Sequence, residues 1–181
     1  MRLLALSLLA LPCALAAQNP PVTKDAPAGS SAATMALRNE WRSYARWILT
    51  AAQEWPEGEY GYKPIASVRS FGQLVAHVAG SQYAICAPAL GEDRASDEAN
   101  VERDATSKAA IVAALQRSNE YCERAYAIAD AQAMGSIQLF GRPNNKLGAL
   151  ALNMGHTAEH YGNVITYMRL KGMVPPSSRQ Q

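Results

Sequence analysis

Histidine is scarce in this 181-residue chain, with three in all, and two of them stand four apart in HTAEH, His156 and His160. On a helix that spacing places both rings on one face, one turn apart. Two imidazoles offered from adjacent turns can share one metal ion. Two ligands bind weakly, however, so a third must come from elsewhere in the chain. His77, the remaining histidine, is the candidate. Three neutral imidazoles suit divalent zinc, nickel, copper or iron and leave coordination positions open, as catalytic rather than structural sites do. The same residues also fit a plainer reading. Histidine pairs at this spacing arise on ordinary helix faces, and a histidine at the margin of an apolar stripe is often a satisfied, semi-buried side chain.

HTAEH also matches H-x-x-E-H, the inverted zinc-peptidase pattern, in which Glu159 would be the general base. Such a site needs a further ligand, commonly acidic and downstream. After His160 only YGNVITYMRLKGMVPPSSRQQ follows, with no Asp or Glu, which argues against a peptidase. Glu159 stays a candidate catalytic residue, either orienting an imidazole or facing solvent. At about 100° per residue, Asn153, Asn163 and Tyr167 fall on the histidine side of the same helix, and Asn153 and Asn163 are candidates for the surroundings of the site.

Four helices must position these residues. Leu37, Trp41, Tyr44, Ala45, Ile48, Leu49 and Ala52 recur at three- and four-residue spacing and predict a first helix over about 32–54. Pro56 and Gly58 follow it, then a Gly- and aromatic-rich loop whose Tyr60 and Tyr62 pack back on the bundle. A second helix opens with Ser67 or Ser70 as N-cap and carries Phe71, Leu74, Val75, Val78, Gln82 and Ile85 on one side, with His77 beside the stripe. Pro88 and Gly91 stop it. EDRASDEANVERDA is charged, polar and weakly periodic, a long crossover. The third helix begins at Thr106 or Ser107 and presents Ile111, Val112, Leu115, Cys122, Tyr126 and Ala129. MGSIQLFGRPNN reads as a loop with a short extended piece at 137–140. Asn144 or Asn145 caps the fourth helix, which runs to about Lys171 with Gly172 at the left-handed position beyond. The fold class expected is all-α, a four-helix bundle with a long crossover between helices two and three. That crossover lets helices two and three run parallel.

A hydrophobic fraction of 49% and a charged fraction of 18% fit a folded domain. A net charge of +2 without a basic stripe gives nucleic-acid binding no electrostatic support, and neither G-x-x-x-x-G-K-[ST] nor G-x-G-x-x-G is present. The opening MRLLALSLLALPCALAAQ has a charged start at Arg2, an apolar run from Leu3 to Leu15 and an A-x-A pattern at Ala14 and Ala16. It reads as a signal peptide over 1–17, followed by a flexible leader over 18–33 and the domain over 34–178. A periplasmic or secreted protein, with no membrane attachment after cleavage, is the expectation. Cys13 leaves with the signal. Cys86 and Cys122 remain, and they either pair in the oxidising compartment or serve as two separate small core residues.

Two stretches, YGYKPIASVRSFGQLVAHVAGSQY with His77 and NMGHTAEHYGNVITYMRLKGMVPPSS with His156 and His160, together with the aromatic first helix around Trp41 and Trp47, carry a family likeness. The chain resembles the DinB/YfiT-like metal-binding four-helix bundles over roughly residues 34–178. The resemblance implies a divalent metal, zinc or nickel most often, held by one histidine of helix two and two of helix four, here His77, His156 and His160. It also implies an up-down bundle with a long crossover, often dimeric, and relatives that include thiol-dependent S-transferases and isomerases. An export signal departs from that pattern, because an exported domain does not sit in a reduced thiol pool. The expected function is an exported metal-dependent enzyme of the thiol-transferase-like or hydrolase type acting on a small molecule. The alternative is a non-catalytic metal- or ligand-binding bundle.

Overall fold

Each long helix begins where a side chain or carboxylate satisfies the free N–H groups of its first turn. In the computed structural model the described residues are 31–94 and 97–179. The expected signal peptide and nearly all of the expected leader lie outside them. Helix α1 (Ala32–Glu54) follows the apolar repeat from Trp41 to Ala52. Its N-cap, Ser31, supplies no side-chain bond. Instead the Asp130 carboxylate accepts the N–H groups of Ala33 at 3.1 Å and Thr34 at 3.0 Å. That places negative charge at the positive helix end and ties the short helix α5 (Asp130–Ala133) to α1.

Helix α2 (Phe71–Leu90) starts with a capping box. The Ser70 hydroxyl accepts from the Gln73 N–H at 3.2 Å, and the Gln73 side chain accepts from the Ser70 N–H at 2.9 Å. Pro88, expected to stop the helix with Gly91, sits inside its last turn, and Gly91 ends it at φ 78°. Apart from Gln73, Pro88 and Leu90, every residue of α2 is buried. The expected one-sided stripe is therefore wider than the sequence suggested, because α2 is the central helix of the bundle. Helix α4 (Lys108–Tyr126) is capped by Ser107, and α6 (Lys146–Leu170) by Asn145, whose side chain accepts from the Gly148 N–H at 2.7 Å.

Among the described residues four long helices form the bundle, as the sequence led us to expect. α2 and α4 run parallel. Gly72 at the start of α2 lies against Ile111 at the start of α4, and a Cys86–Cys122 disulfide joins their later halves with Cα atoms 5.5 Å apart. Of the two readings left open for these cysteines, the paired one is observed. α1 and α6 run the other way, parallel to each other, with Trp41 and Leu150 in one core cluster and Trp55 and Met168 in the other. Trp55 stacks on Phe71 with ring centroids 3.9 Å apart. Tyr60 and Tyr62 pack back as expected, Tyr60 edge-on to Phe71 and Tyr62 edge-on to Tyr167.

Two connections carry more structure than expected. The crossover contains a helix, α3 (Asp97–Asp104), lying on α2. The segment before α6 is a hairpin, β1 (Ser136–Leu139) paired antiparallel with β2 (Arg142–Asn145). Its tip is Phe140 at φ 50° followed by Gly141 at φ 72°, the backbone that two-residue hairpin turns require. Leu139 anchors it on Ile85 and Ala149. Among the described residues no helix is long and apolar enough to cross a membrane.

Candidate metal centre

The seam between α2 and α6 is antiparallel. At one end the Tyr167 hydroxyl donates to the Arg69 carbonyl at 2.7 Å, and at the other Ile85 meets Ala149. The three histidines lie between these contacts. His77 comes from the buried heart of α2, and His156 and His160 come from successive turns of α6. Ring centroids are 5.2 Å apart for His77 and His156, 4.8 Å for His77 and His160, and 4.3 Å for His156 and His160. One nitrogen from each ring falls within 4.8 Å of the others. The Nε2 atoms of His156 and His160 are 3.0 Å apart, close to the separation of roughly 3 Å that two nitrogens about 2.0–2.1 Å from one ion show.

His77 and His160 are 7% and 8% exposed, and His156 is half-buried. Burial disfavours the imidazolium. Burial first, then the positive charges of His160, His77 and Arg69, hold the His156 pKa down to about 3. Burial, with His77 and Arg69 also lowering it, holds His160 at about 4. Both rings are therefore neutral at physiological pH and each carries a lone pair. Two neutral imidazoles converging with a third ring are a donor set that suits zinc or nickel. The residues present fit the implied metal.

Beyond the three rings, contacts differ. The His77 Nδ1 lies 2.8 Å from the Glu102 Oε1 and 3.1 Å from the Glu98 Oε1. His160 Nδ1 is 3.4 Å from the Asn163 amide, as the helix spacing suggested for that residue. His156 Nδ1 is buried without a hydrogen-bond partner among the described residues. Glu159 is exposed on α6, and its negative charge raises the His160 pKa through space. Asn153 is fully buried and turned into the core, where its amide donates to the Tyr126 oxygen at 3.3 Å and the Cys122 sulfur at 3.7 Å. It serves the bundle interior, not the histidines.

Glu98 and Glu102 did not stand out in the sequence. Their spacing of four, on one face of DEANVERD, was the available signal. A polar segment with Val101 as its one large apolar residue hides it, because carboxylate pairs are common on solvated faces. His77, Glu98 and Glu102 form a second group whose donor atoms come within 4.8 Å of one another.

Residues 42–164 match the family model of the DinB superfamily. The chain belongs to the DinB superfamily. A DinB-like protein of Bacillus subtilis, YjoA, shares the fold with a TM-score of 0.64 at 21% identity, over 81% of this chain and 99% of its own. A mycothiol-dependent maleylpyruvate isomerase superposes with a TM-score of 0.61 at 14% identity, over 72% of this chain. This chain spans 60% of the isomerase's length. No curated protein sequence matches it. At these identities the solved structures show a shared fold, and the superfamily resemblance expected from the histidine-bearing segments is borne out by the family match.

Proposed function

We propose that this DinB-superfamily chain is an exported protein that holds one divalent metal ion, zinc or nickel, through His77, His156 and His160, and uses it in a transfer or hydrolysis reaction on a small molecule. The observation carrying the reading is the convergence of three imidazoles, His77 and His160 buried and His156 half-buried, with His156 and His160 held neutral, on one point of the α2–α6 seam. When bound, the metal would polarise an electrophile or lower the pKa of a water or thiol ligand. The chain's own side chains supply the rest. Asn163 steadies His160 at its second nitrogen, and Glu159, exposed beside His160, is the candidate proton acceptor on the solvent side.

The buried Cys86–Cys122 disulfide supports export, because such bonds persist in oxidising compartments. The isomerase relative is described as mycothiol-dependent. An exported chain lacks a reduced thiol pool, which favours hydrolysis over thiol transfer. A homodimer is the assembly the family likeness suggests, and light scattering measures it. Glu98 and Glu102 beside His77 sustain the second reading, a metal-binding bundle without turnover, since added carboxylates could close the coordination sphere.

Elemental analysis of the mature protein, purified without chelators and offered zinc and nickel in turn, tests the proposal. One equivalent per chain is expected, lost in His156→Ala while far-ultraviolet circular dichroism stays helical. No retained metal, or full retention by His156→Ala, contradicts it.

A further inference from the structure

The crossover helix α3 is a candidate for more than a tether. We infer that Glu102, backed by Glu98, is a positioning residue that fixes the proton of His77 on Nδ1 and so turns its Nε2 lone pair toward the metal. The inference rests on the metal-site reading above.

A neutral imidazole carries one proton on either nitrogen, and only the bare nitrogen can bind a metal. A carboxylate is an acceptor only. With Glu102 Oε1 at 2.8 Å and Glu98 Oε1 at 3.1 Å from Nδ1, that nitrogen is the one placed to donate, while the Ser81 Oγ, 3.5 Å from both ring nitrogens, favours neither. Among the described residues the other two ligands have no such partner. His156 Nδ1 has none, and His160 Nδ1 has an amide at 3.4 Å. His77 is thus the ligand whose tautomer and ring angle are set before the ion arrives. Charge points the same way. Arg69 pairs with the same Glu102 oxygen at 3.1 Å, so two carboxylates and one guanidinium leave net negative charge behind the ring that meets a dication.

The backbone of α3 is placed for this role by a glycine. A Cβ at Gly80 would stand 2.5 Å from the Glu98 Cα and 2.8 Å from its carbonyl oxygen. α3 therefore rests directly on α2, three residues along from His77, and any side chain at position 80 pushes it away. α3 has no fully buried residue. Val101 packs partly on the core, and the Glu–His77, Arg69–Glu102 and Arg94–Asp97 contacts hold the rest. A helix held this way does little for the core and presents two carboxylates to one imidazole.

Zinc affinity, measured by competition with a chromophoric chelator on the full mature chain, tests the inference. In Glu102→Gln, affinity falls about 10- to 100-fold while stoichiometry stays at one zinc per chain. Glu102→Asp, which keeps a carboxylate, recovers part of the loss. Gly80→Ala touches no side chain of the site, yet weakens zinc comparably by lifting α3. A merely structural role predicts instead a lower apo melting temperature with unchanged zinc affinity. Unchanged affinity in both Glu102→Gln and Gly80→Ala overturns the inference and leaves the metal-site reading intact. Two zinc ions per wild-type chain, one lost in Glu102→Gln, also overturns it, because Glu102 is then a direct ligand. A wild-type chain that binds no zinc overturns the inference together with the reading beneath it.

Discussion

An imidazole moved out of water loses solvation of its cation but keeps its lone pair, and His156 and His160 show the result. Their pKa values lie at about 3 and about 4 in the folded chain, against about 6.5 in an unfolded one. Between those values the unfolded chain binds more protons, so the metal-free protein loses stability as pH falls from about 6.5 to about 4 and levels off near 3. Above 6.5 both states are neutral and the term vanishes. The unfolding free energy of the metal-free protein, read from urea titrations, should drop by a few kcal/mol at most between pH 7 and pH 4.5, and by less in His156→Gln. Equal slopes in the two proteins would count against the assigned burial effect. Glu159→Gln should leave zinc stoichiometry and affinity within about threefold of wild type, since an exposed charge is largely screened; a larger loss makes Glu159 part of the metal's environment. The histidines were legible because helical spacing puts His156 and His160 on one face and the chain holds one further histidine. Glu98 and Glu102 were hidden because their partner is on another helix, reached through a glycine that spacing cannot reveal.

At the scale of elements, capping chemistry was readable and tertiary seating was not. Ser70, Ser107 and Asn145 cap the helices they were candidates for. Ser70→Ala removes a reciprocal cap and should cost about 1 kcal/mol, seen as a melting-temperature drop of about 2–4 °C by calorimetry. No shift would mean that the Tyr60–Lys63 loop, and not the cap, sets the start of α2. Of the hairpin, the extended piece expected at 137–140 overlaps β1, while β2 and the pairing escaped notice because β2 is RPNN, without apolar alternation. α3 escaped notice because eight residues with one large apolar side chain give no periodicity. Both depend on contacts with α2 or α6 that lie far away in sequence.

For the whole molecule, the long crossover lets α2 and α4 lie parallel, and the disulfide then spans 36 residues between them. Closing a loop of that length stabilises by about 4 kcal/mol on the chain-entropy model. Replacing both Cys86 and Cys122 by Ala should lower stability by a few kcal/mol in denaturant titration and leave zinc affinity unchanged, since the histidines sit on the other seam, α2 with α6. Loss of zinc binding in that variant would show that the two seams are coupled. The central claim is that one ion sits among His77, His156 and His160. X-ray absorption at the zinc edge of the loaded protein tests it most directly. The account predicts three imidazole nitrogens at about 2.0–2.1 Å with one or two further light atoms. Fewer than three imidazoles, or any sulfur in the first shell, would contradict it.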